Sequence, residues 1–284
     1  MILGAHVSTA GGVENAPGNA ARFGIRALAL FTRNQRQWKA KPLSPDSIAR
    51  FREERDRHGI THCVSHDSYL INLCAPDPEK LTLSIDALTD EVERAEQLGL
   101  SHVVAHPGSH LKRGEEWGIE TIAHSLSEVH RRLPGCGAKI ALEITAGQGT
   151  NLGYRFEQIA RMIELSEENE RLAVCFDTCH AYSAGYDLLS AEGYEKTWEE
   201  FDRLIGLERL QVIHLNDTRK PLGSRVDRHD QIGDGLLGLE PFRRMVNDPR
   251  FTGLPGILET PQGEGGYAED LRRLRSLIEG SPSR

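Results

Sequence analysis

The chain is predicted to fold as an α/β protein, a single-domain (β/α)8 TIM barrel spanning residues 1–284. Two observations point there. Short apolar runs recur eight times with amphipathic segments between them. The runs are apolar at successive positions, as strands of a parallel sheet must be when one side faces helices and the other a packed interior. The length of 284 residues also suits one such barrel, which typically takes about 250.

The strand candidates are Ile2 to His6, Ala27 to Thr32, Thr61 to His66, His102 to His106, Lys139 to Thr145, Leu172 to Asp177, Leu210 to His214 and Gly256 to Thr260. The first spacer, Gly11 to Phe23, is short and glycine-rich but long enough for a helix. Helices are expected over Ser44 to His58, Asp77 to Gly99, Glu115 to Leu133, Tyr154 to Leu165, Ala191 to Ile205, Leu239 to Val246 and Tyr267 to Ile278. The clearest has Leu81, Ile85, Leu88, Val92, Ala95 and Leu98 at spacings of three and four, opened by Asp77-Pro78 and stopped by Gly99. The Gly147-Gln-Gly-Thr-Asn-Leu-Gly153 segment lacks the spacing of a dinucleotide-binding turn and is expected to be a flexible loop. The Gly280-Ser-Pro-Ser-Arg284 tail is expected to fray.

Composition narrows the function classes. No apolar run approaches the roughly 20 residues that span a bilayer, and the start Met1-Ile-Leu-Gly-Ala-His6 lacks the features of a signal peptide, so a cytoplasmic location is expected. Five cysteines, with no Cys-x-x-Cys pair, argue against a disulfide framework and a thiolate zinc site; Cys63 and Cys175 read as small core residues. A net charge of −8 counts against a nucleic-acid partner. Three structural divalent cations would reduce it to about −2, however, and would dominate the local field.

The informative pattern is what stands at the carboxyl ends of the runs: His6, His66, His106, Glu143, Asp177, His214 and Glu259. In a (β/α) barrel these ends meet on one face, where active sites sit. That many carboxylates and imidazoles converging without neutralisation would cost many kcal/mol, which points to bound metal. Strands three to five would gather His66, His106 and Glu143, while strands five to eight would gather Glu143, Asp177, His214 and Glu259, with Glu143 bridging. Asp227 and His229, two residues apart in an extended segment, can converge on one ion. They need a third partner, and His180 is available because the turn after Asp177 would carry it away from its neighbour's ion. Nitrogen and oxygen ligands without thiolate favour Zn²⁺, with Mn²⁺ or Fe²⁺ as substitutes. His6 and His110 are expected to support the site from behind. His58, His62, His102, His124 and His130 read as surface or core residues.

Two loops complete the face. Phe31 to Lys41 is basic with Trp38 inside it, and Asp67 to Asn72 puts Tyr69, Leu70 and Ile71 where a loop should be polar. Exposed apolar groups beside a basic loop suggest a wedge into stacked bases.

Several of these segments are similar to the signatures of the endonuclease IV family of metal-dependent apurinic/apyrimidinic endonucleases. They are Val174-Cys-Phe-Asp-Thr-Cys-His-Ala-Tyr-Ser-Ala-Gly-Tyr-Asp187, His106-Pro-Gly-Ser-His110 and His214 to Gly235, with Gly4-Ala-His-Val-Ser8, Asn34-Gln-Arg-Gln-Trp38 and His66-Asp-Ser-Tyr-Leu-Ile-Asn72. The resemblance covers essentially the whole chain; Ile144 departs from it, standing where a polar residue is commoner.

The resemblance implies a TIM barrel with three zinc ions that cleaves duplex DNA 5′ of an abasic site, leaving a 3′-hydroxyl and a 5′-deoxyribose phosphate, and that removes 3′-blocking groups. It implies the ligand sets His66, His106, Glu143; Glu143, Asp177, His214, Glu259; and His180, Asp227, His229. It further implies entry of Arg36, Tyr69 and Leu70 into the duplex at the lesion. Glu143 and Glu259 are then expected to orient the attacking water, and the protein to work as a monomer without a membrane. The same barrel with divalent metals also supports sugar isomerases and epimerases, which would call for mostly oxygen ligands and a catalytic lysine. A non-catalytic binder of damaged DNA is a third reading, one that leaves open metal positions unused.

Overall fold

The computed structural model describes residues 1–280, so the tail beyond Gly280 lies outside the described residues. The strands are β1 (Ile2–His6), β2 (Ala27–Leu30), β3 (His62–His66), β4 (His102–Ala105), β5 (Lys139–Glu143), β6 (Leu172–Asp177), β7 (Leu210–Leu215), β8 (Asp217–Thr218), β9 (His229–Asp230) and β10 (Pro255–Leu258). Eight of them close a parallel barrel in the order β1-β10-β7-β6-β5-β4-β3-β2, while β8 and β9 form a small antiparallel pair at its mouth. The helices are α1 (Ala16–Ala21), α2 (Pro45–Arg57), α3 (Pro78–Leu98), α4 (Glu115–Arg132), α5 (Phe156–Leu165), α6 (Thr178–Ala184), α7 (Ala191–Leu204), α8 (Glu240–Asn247) and α9 (Tyr267–Leu277).

Side chains alternate across each strand and so split the core in two. Ala27, Ala29, Val64, Val104, Ala141, Ala173, Cys175, Val212 and Ile257 fill the barrel interior. Their neighbours Leu28, Leu30, Val103, Ile140, Leu142, Val174, Phe176 and Ile213 face outward into the larger core under the helices. The interior is tight: a Cβ on Gly4 would meet Ala27 O and Ile257 Cδ1 at 2.6 Å, so only glycine fits there.

Local signals set the helix limits. Asp77 caps α3 by accepting from Glu79 N at 2.9 Å and Lys80 N at 3.1 Å, Pro78 occupies its first turn, and Gly99 ends it at φ 73°. The Gly11 to Phe23 spacer holds a 3-10 turn at Val13–Asn15 followed by the short α1.

Three local features depart from expectation. The segment after Asp177 forms α6 rather than a loop, because the Asp177 carboxylate accepts from His180 N at 2.8 Å and caps it. The Gly147–Gly153 segment is tied down rather than free: Leu152 is fully buried, Leu152 N donates to Gly108 O at 2.8 Å, and Gly153 N donates to Gln158 Oε1 at 2.9 Å. The helix expected from Tyr154 begins at Phe156, whose N–H is held by Tyr186 Oη at 2.9 Å.

Candidate metal centre

The pleat that packs the barrel also aims its charged groups. Val64, Val104, Ala141, Cys175, Val212 and Ile257 are interior residues. Two positions further along each segment stand His66, His106, Glu143, Asp177, His214 and Glu259. Side chains two apart on a strand share a face, so these six continue the interior upward into its carboxyl-end mouth. Register brings neighbours level. An extra residue in β7 shifts pairing from Val174 with Leu210 to Cys175 with Val212, which sets Asp177 opposite His214. Without that bulge Asp177 would pair with Ile213, which faces the helices.

Three clusters result, each with its donor atoms within 4.8 Å of one another: His66, His106 and Glu143; Glu143, Asp177, His214 and Glu259; and His180, Asp227 and His229. Glu143 joins the first two. Its Oε2 faces His66 Nε2 at 3.1 Å and His106 Nε2 at 3.0 Å, while its Oε1 faces His214 Nδ1 at 3.0 Å and His180 Nδ1 at 3.2 Å. Glu259 Oε2 lies 3.3 Å from His214 Nδ1, and its Oε1 is held by His6 Nδ1 at 2.9 Å. Asp177 Oδ2 lies 3.9 Å from His214 Nδ1 and 3.8 Å from His229 Nε2.

The third cluster shows most directly that its donors suit a cation. His180 Nδ1 lies 3.1 Å from Ile144 O and His229 Nδ1 3.2 Å from Glu259 O. A carbonyl oxygen only accepts, so each Nδ1 carries a proton and each ring turns its Nε2 to the cluster. These two Nε2 atoms face each other at 3.3 Å and face the Asp227 carboxylate at 3.3 and 3.4 Å. Two imidazole Nε2 atoms and a carboxylate converging on one point fit the donor set of a divalent ion, which would replace the protons that otherwise hold them together.

The electrostatics agree. Burial alone would push the Glu143 carboxyl up, but His214 and His106 outweigh it and hold the group well below the usual carboxylate range. Burial likewise opposes charge on His180, yet Asp177, Asp227 and Glu143 raise it well above an ordinary imidazole. Asp227, buried against its own ionisation, is brought down to about 2 by His180 and His229. The carboxylates thus require positive charge beside them, whether from protons or from metal. Cys175 and Cys179 also border the clusters. Burial and then Asp177 raise the Cys179 thiol to about 12, and burial and Glu143 raise Cys175 well above an ordinary thiol, so neither favours thiolate.

A cavity of about 400 Å³ opens beside the first cluster, lined by His66, Tyr69, Leu70, His106, Asn151 and Asp227 among others. A hollow of about 510 Å³ lies at the opposite mouth, around His62 and His102, where burial lowers His102 to about 4 and keeps it neutral. Among the described residues the donor clusters gather at the carboxyl-end mouth. Tyr69 is 76% exposed, Leu70 half-buried, and Arg36 exposed on the neighbouring loop. His110 does not join the others: its Nδ1 accepts from Gly114 N at 3.1 Å at the start of α4.

Some contributors are not singled out by sequence reasoning. Asn216 Nδ2 donates to Asp177 Oδ2 at 2.6 Å and its Oδ1 accepts from Glu259 N at 3.0 Å, linking two candidate ligands. Asp217 gathers the N–H groups of Thr218, Gly233, Gly235 and Leu237 at 2.7–3.0 Å, shaping the loop that follows His229. Gln148 Oε1 holds Asp227 N at 3.1 Å. For Asn216 and Asp217 the signal in the sequence is proximity, two and three residues after His214.

Fold and clusters together define a class: a (β/α)8-barrel protein able to hold metal ions at the mouth where barrel enzymes work. Residues 17–277 match the family model of the xylose isomerase-like TIM barrel. A Chloroflexus aurantiacus protein named probable endonuclease 4 is 50% identical over 98% of this chain and 99% of its own. The crystal structure of endonuclease IV from Thermus thermophilus superposes with a TM-score of 0.86 at 38% identity, covering 98% of both chains. The chain belongs to the endonuclease IV family. A D-tagatose 3-epimerase-like protein, at 20% identity and a TM-score of 0.72 over the full length of both chains, shares the fold alone. Among the described residues no helix is long and apolar enough to cross a membrane.

Proposed function

We propose that this protein is a DNA-repair endonuclease that hydrolyses the phosphodiester bond 5′ of an abasic site in duplex DNA, leaving a 3′-hydroxyl and a 5′-deoxyribose phosphate, and that removes 3′-blocking groups at the same site. The observation that carries the reading is the run of three donor clusters joined through Glu143 at the mouth of the barrel. Family membership supplies the reaction class.

Three zinc ions are proposed, with Mn²⁺ or Fe²⁺ as substitutes. His66, His106 and Glu143 would hold the first, Glu143, Asp177, His214 and Glu259 the second, and His180, Asp227 and His229 the third. Bound there, such ions would make water nucleophilic near neutral pH and offset charge on the phosphoryl and leaving oxygens. The chain's own groups do the positioning. Glu143 and Glu259 orient the attacking water, and His6 fixes Glu259 by occupying its Oε1. Tyr69 and Leu70, with Arg36 on the adjacent loop, fill the gap left when the abasic nucleotide leaves the stack. An abasic nucleotide has no base to unpair, so extruding it costs less than flipping an intact one.

The reading is of a monomer, because one chain provides every cluster, and of a cytoplasmic protein, consistent with five unpaired cysteines. An epimerase would need a site dominated by oxygen donors, and five of the nine donors here are histidines. The test is a labelled duplex carrying one abasic site at a known position. The expected product is a single nick immediately 5′ of the lesion whose 3′ end a polymerase extends. Cleavage on the 3′ side, or none, would reject the reading.

A further inference from the structure

The loop that carries Arg36 is held from beneath by a buried charge. The Arg33 side chain is 2% exposed. Its Nη2 donates to Gln37 O at 2.8 Å and Trp38 O at 2.7 Å, its Nη1 to Asp90 Oδ2 at 2.7 Å, and its Nε lies 3.6 Å from Glu91 Oε1. Asp90 and Glu91 belong to α3, as does Arg94, whose Nε donates to Asp90 Oδ2 at 2.9 Å and whose Nη2 donates to Lys41 O at 2.5 Å. From the other side Ser68, next to Tyr69, donates its hydroxyl to Gln35 O at 2.8 Å. The carbonyls of residues 35, 37, 38 and 41 are therefore all fixed. Arg36 projects into solvent between them, its own N–H held by Asn34 Oδ1 at 2.9 Å.

Burying a guanidinium is costly, and an apolar residue would often stabilise a core as well; a planar fork is suited to fixing two carbonyls in one arrangement. Arg33 is too buried to meet DNA, so its hydrogen bonds act on the loop.

We infer that Arg33 is a positioning residue for lesion recognition: by clamping the carbonyls of Gln37 and Trp38 it holds the turn that presents Arg36 beside Tyr69. The inference rests on the proposed reading that Arg36 enters the duplex. A loop already in its bound shape has less freedom to lose when DNA arrives, so the clamp contributes to affinity and leaves the chemical step alone.

Arg33→Lys keeps the cation and removes the fork. The expected result is about tenfold weaker binding of an abasic duplex. The single-turnover rate at saturating DNA should stay within about twofold, metal content should hold, and amide hydrogen exchange at residues 34–38 should quicken. Arg36→Ala should weaken binding in the parent protein but add little in the Arg33→Lys background. Should Arg33→Lys fold poorly, Asp90→Asn loosens the same clamp from its partly exposed end and allows the same comparison. Unchanged duplex affinity, or losses from Arg33→Lys and Arg36→Ala that add fully, would overturn the inference. If Arg36→Ala alone leaves duplex binding intact, the reading of Arg36 fails and the inference with it. If Arg36→Ala weakens binding and Arg33→Lys does not, only the inference fails.

Discussion

His180 Nε2 and His229 Nε2 face each other at 3.3 Å, each with its other nitrogen against a backbone carbonyl. Two ring nitrogens at that distance beside the Asp227 carboxylate need positive charge between them, which a bound cation would supply. His229→Ala should therefore lower the metal content by about one ion per chain. It should also slow single-turnover cleavage far more than it weakens DNA binding, because charge on the leaving oxygen develops only as the bond breaks. Elemental analysis and separate binding and cleavage measurements check this; an unchanged cleavage rate would remove Asp227 and His229 from the mechanism.

Tyr69 stands exposed at the cavity rim, with its ring centroid 6.4 Å from that of His66. Replacing stacking lost at the lesion is worth about 1–3 kcal/mol per aromatic contact. Tyr69→Ala should thus weaken binding to an abasic duplex roughly tenfold or more. A single-stranded abasic oligonucleotide, with no duplex stack to repair, should be affected much less, and zinc content not at all. Equal losses on both substrates would return Tyr69 to a packing role.

Asn216 links Asp177 and Glu259 through its amide. Groups that orient metal ligands in this way typically contribute about 10–100-fold to metal affinity. Asn216→Ala should lower zinc affinity by about that factor, measured by competition with a chromogenic chelator. Affinity equal to the parent's would mean that the two carboxylates are held well enough without the amide.

Much of this was legible in the chain, and the exceptions have a common cause. The eight strands and the outer helices follow from hydrophobic periodicity, and the interior line from Val64 to His66 or Ala141 to Glu143 follows from the pleat. Helix α6 was not legible because its start depends on Asp177 serving as N-cap, which Asp-Thr-Cys-His does not distinguish from an ordinary strand-to-loop turn. The ties of the Gly147–Gly153 segment to Gly108 and Asp227 are likewise long-range, and glycine content alone suggested mobility. His110 sits close to His106 in sequence, but Gly114 turns it away from the clusters. The roles of Arg33, Asn216 and Asp217 are hydrogen bonds between segments, to which periodicity is blind.

Glu91 provides a pH test on a group that belongs to none of the metal clusters. Burial raises its carboxyl to about 7, against the lowering effects of the Thr32 hydroxyl and Arg33. The folded state thus binds this proton more tightly than the unfolded chain, where the group titrates near 4.5. The stability it contributes is fully present below about pH 4.5 and is lost as pH rises through 7, a change on the order of 3 kcal/mol. Glu91→Gln cannot ionise, so the stability difference between variant and parent should grow in the variant's favour across that window. Denaturant unfolding at a series of pH values measures it, and a difference that stays flat with pH would show that Glu91 is already ionised in the folded protein.

The most direct test of the account is to strip the protein of metal, restore zinc stepwise, and follow incision of a duplex with one abasic site beside an intact control. Chelated protein should be inactive. Incision 5′ of the lesion should return fully only as the third equivalent of zinc binds, with the intact duplex uncut throughout. Full activity at one equivalent, or incision that survives chelation, would contradict a centre built from three linked clusters.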